Sequence, residues 1–252
     1  MNIRDLFTGF RMFTSSMGYL SRNGMGKMYL WMIIVALLFS ILYFYLMSQA
    51  YDVLMDMLLG VVSSWDLPEW VTTAFGWIVS IALYVAGFML FHMINGTVVL
   101  VLLSPLFSYI AKRAYHIEMG EKPKELPLLK SIGRGVLFAL RNFMVQLSVW
   151  MVLYLIGFMV PIVQPAVPFL IVAVNAFYYA LSMADYTMEL RGMNVGQSSH
   201  YGSQNRLTLC GIGLPFAAIL MVPFVGSYIA IFFAPVVEIA TLKLCLHGEG
   251  NE

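Results

Sequence analysis

Charge is what this sequence has least of. Only 11% of its 252 residues are Asp, Glu, Lys or Arg, less than half the roughly 25% of an average soluble domain. Hydrophobic residues make up 61%, and the mean hydropathy is +0.83. A water-soluble fold of this length could not hide so much apolar surface, so the solvent around much of the chain is lipid. The formal net charge of +1 supplies no field that would gather nucleic acid. The two cysteines, Cys210 and Cys245, both lie in apolar segments and give no disulfide framework. They read as inert buried thiols rather than a redox pair. His-Glu-x-x-His, Cys-x-x-Cys, a Walker loop and Gly-x-Ser-x-Gly are all missing. No two carboxylates fall at helical spacing inside the apolar runs. The expectation is a non-enzyme with no metal and no cofactor.

What is present is a series of uncharged runs. Met28–Met47 holds about 20 residues, roughly 30 Å of helix and the thickness of a hydrocarbon core. The residues before it and its length argue for an anchored span rather than a cleaved signal. Ala74–Leu103 is uncharged for about 30 residues, roughly 45 Å as one helix, and must tilt or project beyond the bilayer. Between them Ser48–Thr73 contains Asp52, Asp56, Asp66 and Glu69 and no Lys or Arg. Arg4, Arg11, Arg22 and Lys27 precede the first span, and Lys112, Arg113, Lys122, Lys124, Lys130, Arg134 and Arg141 follow the second. The positive-inside rule places the N-terminus in the cytoplasm and the acidic segment outside, with Trp65, Trp70 and Trp77 as an aromatic belt.

The later runs differ. Phe143–Ala184 and Leu207–Val237 are uncharged but broken by prolines: Pro161, Pro165 and Pro168 in one, Pro215, Pro223 and Pro235 in the other. Met159-Val160-Pro161-Ile162-Val163 resembles Met221-Val222-Pro223-Phe224-Val225, which reads as a repeated helical hairpin with a proline-marked tip. The tips lack polar residues suited to an outside loop, and Leu207–Val222 is short for a span. The preferred architecture is therefore a single all-α membrane domain over 1–252. It has an interfacial helix (1–27), two long spans (28–47 and 74–103), amphipathic cytoplasmic helices (104–141) and two re-entrant hairpins (143–184 and 207–246). Non-helical tips inside lipid must be covered by protein, which points to a homo-oligomer. Six ordinary spans would give the same topology at every charged segment.

Two segments suit the cytoplasmic surface. Ile3, Leu6, Phe7, Phe10, Phe13, Met17 and Leu20 follow helical spacing, with Arg4, Thr8, Arg11 and Ser15 between them, as in an interfacial amphipathic helix. Ser104-Pro105 opens a second helix as N-cap and first-turn proline, and Gly120 ends it.

Four polar features could carry function. Gly24-Met25-Gly26-Lys27 precedes the first span, where free N–H groups, the dipole, glycines and a cation together make an oxyanion site. A simple cap with Arg22 and Lys27 reaching for lipid phosphates accounts for the same residues. Glu238, on the last apolar helix, is an ionisable group at membrane depth, or a surface group paired with Lys243. His92 and Asn95, one turn apart in the second span, could line a pathway or bond a neighbouring helix. Asp185-Tyr186 with Glu189 and Arg191 reads as a surface turn closed by ion pairs.

This layout resembles the CysZ-type sulfate permease family, which shares its domain with the eukaryotic etoposide-induced membrane proteins. The resemblance rests on the glycine-containing opening of the first span, Ser104-Pro105-Leu106-Phe107 with its helix ending at Gly120, and Ala184-Asp185-Tyr186. It extends to Pro223-Phe224-Val225-Gly226 and Ala234-Pro235-Val236. It implies two long transmembrane helices, two partly penetrating hairpins, oligomers, and sulfate uptake across a bacterial inner membrane for cysteine synthesis. The family's sulfate motif, Gly-apolar-Arg-Arg, falls on Gly24-Met25-Gly26-Lys27, where glycine and lysine stand in place of the arginines. Lysine keeps the charge but loses the planar fork. Two functions are carried forward: a passive sulfate or oxyanion permease, and a non-transporting scaffold or lipid-interacting protein. The acidic outer segment counts against the first, since it is a poor attractant for anions.

Overall fold

The computed structural model describes residues 3–65, 67–123, 128–222 and 225–247, without the side chains of 89–90, 92–101, 128–132, 136, 139 and 227. Every regular element among them is helical: α1 Ile3–Ser16, α2 Tyr19–Arg22, α3 Lys27–Ser63, α4 Glu69–Leu102, α5 Ser104–Met119, α6 Leu128–Met159, a 3-10 turn Pro161–Ala166, α7 Val167–Leu190, α8 Val195–Gln204, α9 Arg206–Leu220 and α10 Gly226–His247. Five helices are long and apolar enough to cross a membrane. The chain is thus an all-α, multi-pass membrane protein. It divides into two compact units, Leu30–Leu103 and the remainder.

In the Leu30–Leu103 unit, α3 and α4 form an antiparallel pair. Partners run in opposite directions along the two helices: Phe39 and Tyr43 pack on Phe91, the Tyr43 hydroxyl donates to the Gly87 carbonyl (2.6 Å), and Tyr51 bonds Ser80 (2.6 Å) and stacks on Tyr84. These bonds spend the tyrosine hydroxyls inside the pair, so neither is left bare toward lipid. The helices overrun the spans read from hydropathy. With 37 and 34 residues they are roughly 55 and 51 Å long. The expected outer segment Ser48–Thr73 is mostly helix, broken only between Ser63 and Glu69. Hydropathy marked where the apolar stretch ended, whereas the helix continues to Ser63 through residues that form helix well in water; Pro68 then starts α4 by accepting from Val71 (2.9 Å) and Thr72 (3.2 Å).

The other unit is built around α9, which packs on α7, α1 and α10. The α1–α9 contact depends on two glycines facing each other's backbones: Gly9 lies against the Thr208 carbonyl and Gly211 against the Leu6 carbonyl. A side chain at either position would collide with main chain. This contact re-sorts the amphipathic stripe of α1. Gly9, Phe13 and Ser16 are buried, while Ile3, Phe7 and Phe10 are exposed, because Gly9 marks the close contact, Phe13 packs inward on Phe233, and the other large residues remain outside.

The first proline-tipped segment is a helical hairpin, with a continuation that hydropathy cut short. α6 runs unbroken from Leu128 to Met159, so 141–143 is not a boundary between cytoplasmic helix and hairpin. Pro161 opens the 3-10 turn, with Val160 before it at φ −125° and ψ 84°, outside the helical region that a following proline disfavours. The side chains at this tip are apolar and bare: Ile162 is 88% exposed and Phe158 84%. In the second hairpin α9 has 15 residues, about 22 Å, short of a hydrocarbon core. Pro223 and Phe224 of the repeated pentapeptide lie outside the described residues.

Candidate functional site

The turn before α3 has the construction its sequence suggests. α2 begins after Gly18, which is left-handed, and ends at Asn23, whose main-chain and side-chain N–H groups both donate to the Tyr19 carbonyl (3.1 and 2.9 Å). Gly24 has φ +70°, a left-handed conformation that costs glycine nothing. It turns Met25 inward, 1% exposed, with the Met25 N–H bonded to the Leu20 carbonyl (2.7 Å). Buried Met25 pins the turn from below. Above it Lys27 is exposed, and among the described residues no acceptor takes the N–H of Gly26 or Lys27. These are orphan donors at the positive end of a 37-residue helix. Arg22 is occupied elsewhere, donating to the Met17 carbonyl (2.9 Å) at the end of α1. Gly26 has room, since a Cβ there would come no closer than 3.8 Å to Ser21 Oγ.

Tyr19 holds this turn against the rest of its unit. It is 7% exposed, and Lys243 Nζ lies 5.2 Å from its ring centroid, a cation–π distance. Burial, reinforced by the Glu118 carboxylate nearby, holds the Tyr19 phenol well above its ordinary range, so it stays neutral. Glu118 also faces His247 Nε2 at 3.6 Å. The ends of α5 and α10 thus meet α2 in one polar cluster.

Glu238 does not pair with Lys243. Its residue is fully buried, and neither carboxylate oxygen has a hydrogen-bond partner among the described residues. Asp185 and Tyr186 of α7 are within electrostatic reach of it. A carboxyl buried without a bond costs several kcal/mol, roughly half the whole stability of a typical domain, which makes this position expensive to keep.

Asp185 is not part of a surface turn. It is 5% exposed and receives Arg134 Nη2 at 2.6 Å. The same nitrogen donates to Ser198 Oγ (2.8 Å), and Nη1 bonds the Met193 carbonyl. One guanidinium therefore ties α6 to α7 and α8. Arg191, expected in the same ion-paired turn, instead donates to the Cys245 carbonyl (2.6 Å) and satisfies an orphan carbonyl at the end of α10. Sequence counted Arg134 only as a cytoplasmic charge. The available signal was a lone Asp closing an uncharged run, which must find a cation from somewhere.

Sequence reading also missed a polar contact in the first hairpin. Gln146 Nε2 and Trp150 Nε1, one turn apart on α6, both donate to Asn175 Oδ1 of α7 (2.7 and 3.0 Å). Near the base of the hairpin Asn142 Nδ2 reaches Ser182 Oγ at 3.4 Å. The i, i+4 spacing of Gln146 and Trp150 inside an uncharged run was the legible clue. His92 and Asn95 belong to α4, but their side chains lie outside the described residues. Gly24–Lys27, Glu238 and Asn175 each stand on a different element, and no contact among the described residues joins them.

No curated protein matches the chain at a significant level. The family described as sulfate transporter CysZ/etoposide-induced protein 2.4 matches residues 12–235, a stretch that takes in the α2–α3 turn, both hairpins' first arms and the Arg134–Asp185 tie. A match over so much of its length makes this chain a member of the sulfate transporter CysZ/etoposide-induced protein 2.4 family.

Proposed function

We propose that the chain is a passive permease for sulfate or a similar tetrahedral oxyanion, acting as a channel in a bacterial inner membrane and supplying sulfate for cysteine synthesis. The observation that carries this reading is the α2–α3 turn, where the unspent N–H groups of Gly26 and Lys27 and the exposed Lys27 ammonium share one helix start. Oxyanions bind such ends through main-chain donors, and the family match supplies the substrate class. Glycine at 26 and lysine at 27 shift the weight from side-chain forks to backbone. No nucleotide-binding motif is present in the sequence, so the driving force is the solute gradient or a partner.

In this reading the N-terminus and all the basic segments are cytoplasmic, and the α3–α4 connection lies outside. The hairpins enter from the cytoplasm and stop partway. The short α9 and the bare apolar tip around Ile162 support this, because an 88% exposed isoleucine suits lipid or another subunit better than water. Covering two such tips calls for a homo-oligomer around the path. Glu238 is kept at its cost as part of that path, and His92 and Asn95 are candidates for its outer stretch.

Radiolabelled sulfate flux into liposomes holding the purified protein tests the proposal. Flux above that of empty liposomes, competed by selenate, is expected. A second reading, a lipid-interacting or scaffold protein, draws on α1, whose exposed Ile3, Phe7 and Phe10 with Arg4 and Arg11 suit an anionic lipid surface. Absence of flux with tight vesicle binding would favour it.

A further inference from the structure

The bonds inside the first hairpin fix more than its packing. An indole N–H can only donate, so the Asn175 atom that Trp150 touches must be the amide oxygen. That oxygen then offers its remaining acceptor capacity to Gln146, which must present its own NH2. The Asn175 amide is thereby locked in one orientation. Its oxygen is filled, and its Nδ2, with two hydrogens, is turned away from both donors. Among the described residues no acceptor takes either hydrogen, and Asn175 is half-exposed.

Depth makes this orientation consequential. Asn175 lies eight residues beyond Val167, about 12 Å from the hairpin tip, inside a helix apolar enough to span a membrane. A bare amide donor facing lipid tails is costly, so Nδ2 must face an acceptor. The residues around it limit the kind of acceptor. α6 carries Lys130, Arg134 and Arg141 and no Asp or Glu, and α7 has no acid before Asp185. Those cations lie toward the start of α6, and Arg134 is spent on Asp185; from 142 to 184 the hairpin carries no charge of either sign, so no carboxylate competes for the Nδ2 hydrogens.

We infer that Asn175, locked by Trp150 and Gln146, is a second oxyanion-contacting position, deeper in the protein than the α2–α3 turn, and that Trp150 and Gln146 are its positioning residues. This rests on the permease reading for its substrate class. The lock gives the site its sign: a freely rotating amide would serve an anion or a cation equally, whereas this one presents only hydrogen.

Chromate, a tetrahedral dianion that absorbs where tryptophan emits, is the probe. Trp31, Trp65, Trp70 and Trp77 are all at least 60% exposed, so replacing them with Phe leaves Trp150 as the sole tryptophan in the full chain, excited apart from the tyrosines at the red edge of the absorption band. Saturable quenching of Trp150 by chromate, competed by sulfate, is expected. Asn175→Asp keeps an oxygen for Trp150 and Gln146 but puts a second oxygen where Nδ2 was, and it should weaken the quenching at least tenfold with an unchanged melting profile. Should that variant fail to fold, Asn175→Ala, which deletes the donor without adding charge, takes its place with the same expectation. Quenching that is absent, that rises only linearly with chromate, or that is unaltered by these substitutions overturns the inference. Sulfate flux in Lys27→Ala separates the two sites. Flux unchanged there, with Asn175-dependent quenching intact, removes the turn and keeps Asn175. Flux lost there, with quenching indifferent to Asn175, does the reverse.

Discussion

Lys27 is the only charged side chain in the Gly24–Lys27 turn, and the consequence is numerical. Charge-assisted hydrogen bonds contribute about 1.5–3 kcal/mol each, so Lys27→Ala should weaken sulfate binding by roughly 10- to 100-fold at about 1.4 kcal/mol per decade. Isothermal titration of the solubilised protein measures this. Gly26→Arg, which the space beside Ser21 admits, should tighten binding by restoring a guanidinium fork, and Arg22→Ala should change it little because Arg22 is engaged with Met17. Unchanged affinity in Lys27→Ala would remove the turn as a site. A different cost attaches to Arg134. Its side chain and that of Asp185 are 11% and 6% exposed, and truncating one partner of a buried pair leaves the other charge stranded, at about 3–5 kcal/mol. Arg134→Ala should lower the unfolding midpoint far more than Arg141→Ala, whose residue is exposed. Equal midpoints would mean that the tie between α6, α7 and α8 bears no stability.

At the scale of elements, α1 is held by a close backbone contact at Gly9 as well as by buried Phe13. Gly9→Ala places a methyl against the Thr208 carbonyl, and overpacking of this kind costs about 1–3 kcal/mol. Gly60→Ala in α3 meets nothing within 4 Å and should be neutral or slightly stabilising. Melting the two variants side by side checks this, and equal stability would show that α1 can lift from α9 freely. The first hairpin's tip gives a second test. In a chain with Cys210 and Cys245 replaced by Ala, Ile162→Cys should resist an impermeant thiol reagent added outside. Rapid labelling there would establish full spans.

For the whole molecule the prediction concerns sidedness. Asp56→Cys and Lys122→Cys, in the same cysteine-free background, should react from opposite faces of oriented vesicles, Asp56→Cys from outside. Reaction of both from one face would overturn the topology drawn from positive charge. Of the acidic residues between the two long apolar runs, Asp52 and Asp56 lie on α3 and Glu69 opens α4, so these three stand on helix rather than in a loose loop.

The sequence by itself determined the membrane class, the all-helical architecture and the family, because scarcity of charge, runs of apolar residues and prolines act through local composition and length. It also placed a helix start after Gly24-Met25-Gly26, since glycines ahead of an apolar run are a local signal, while the left-handed turn at Gly24 is visible only in the structure. Helix ends in water escaped it: Ser48–Ser63 is polar enough to end a hydropathy run and still helical. Tertiary structure alone decided the pairings between distant positions. Asp185 finds Arg134 rather than Arg191, Lys243 lies over Tyr19 rather than beside Glu238, and Asn175 fills its oxygen with Gln146 and Trp150. Each of these depends on which helices pack together. That choice is made by close contacts such as Gly9 on Thr208, where the decisive feature is an absent side chain, and a hydrophobic pattern does not register it.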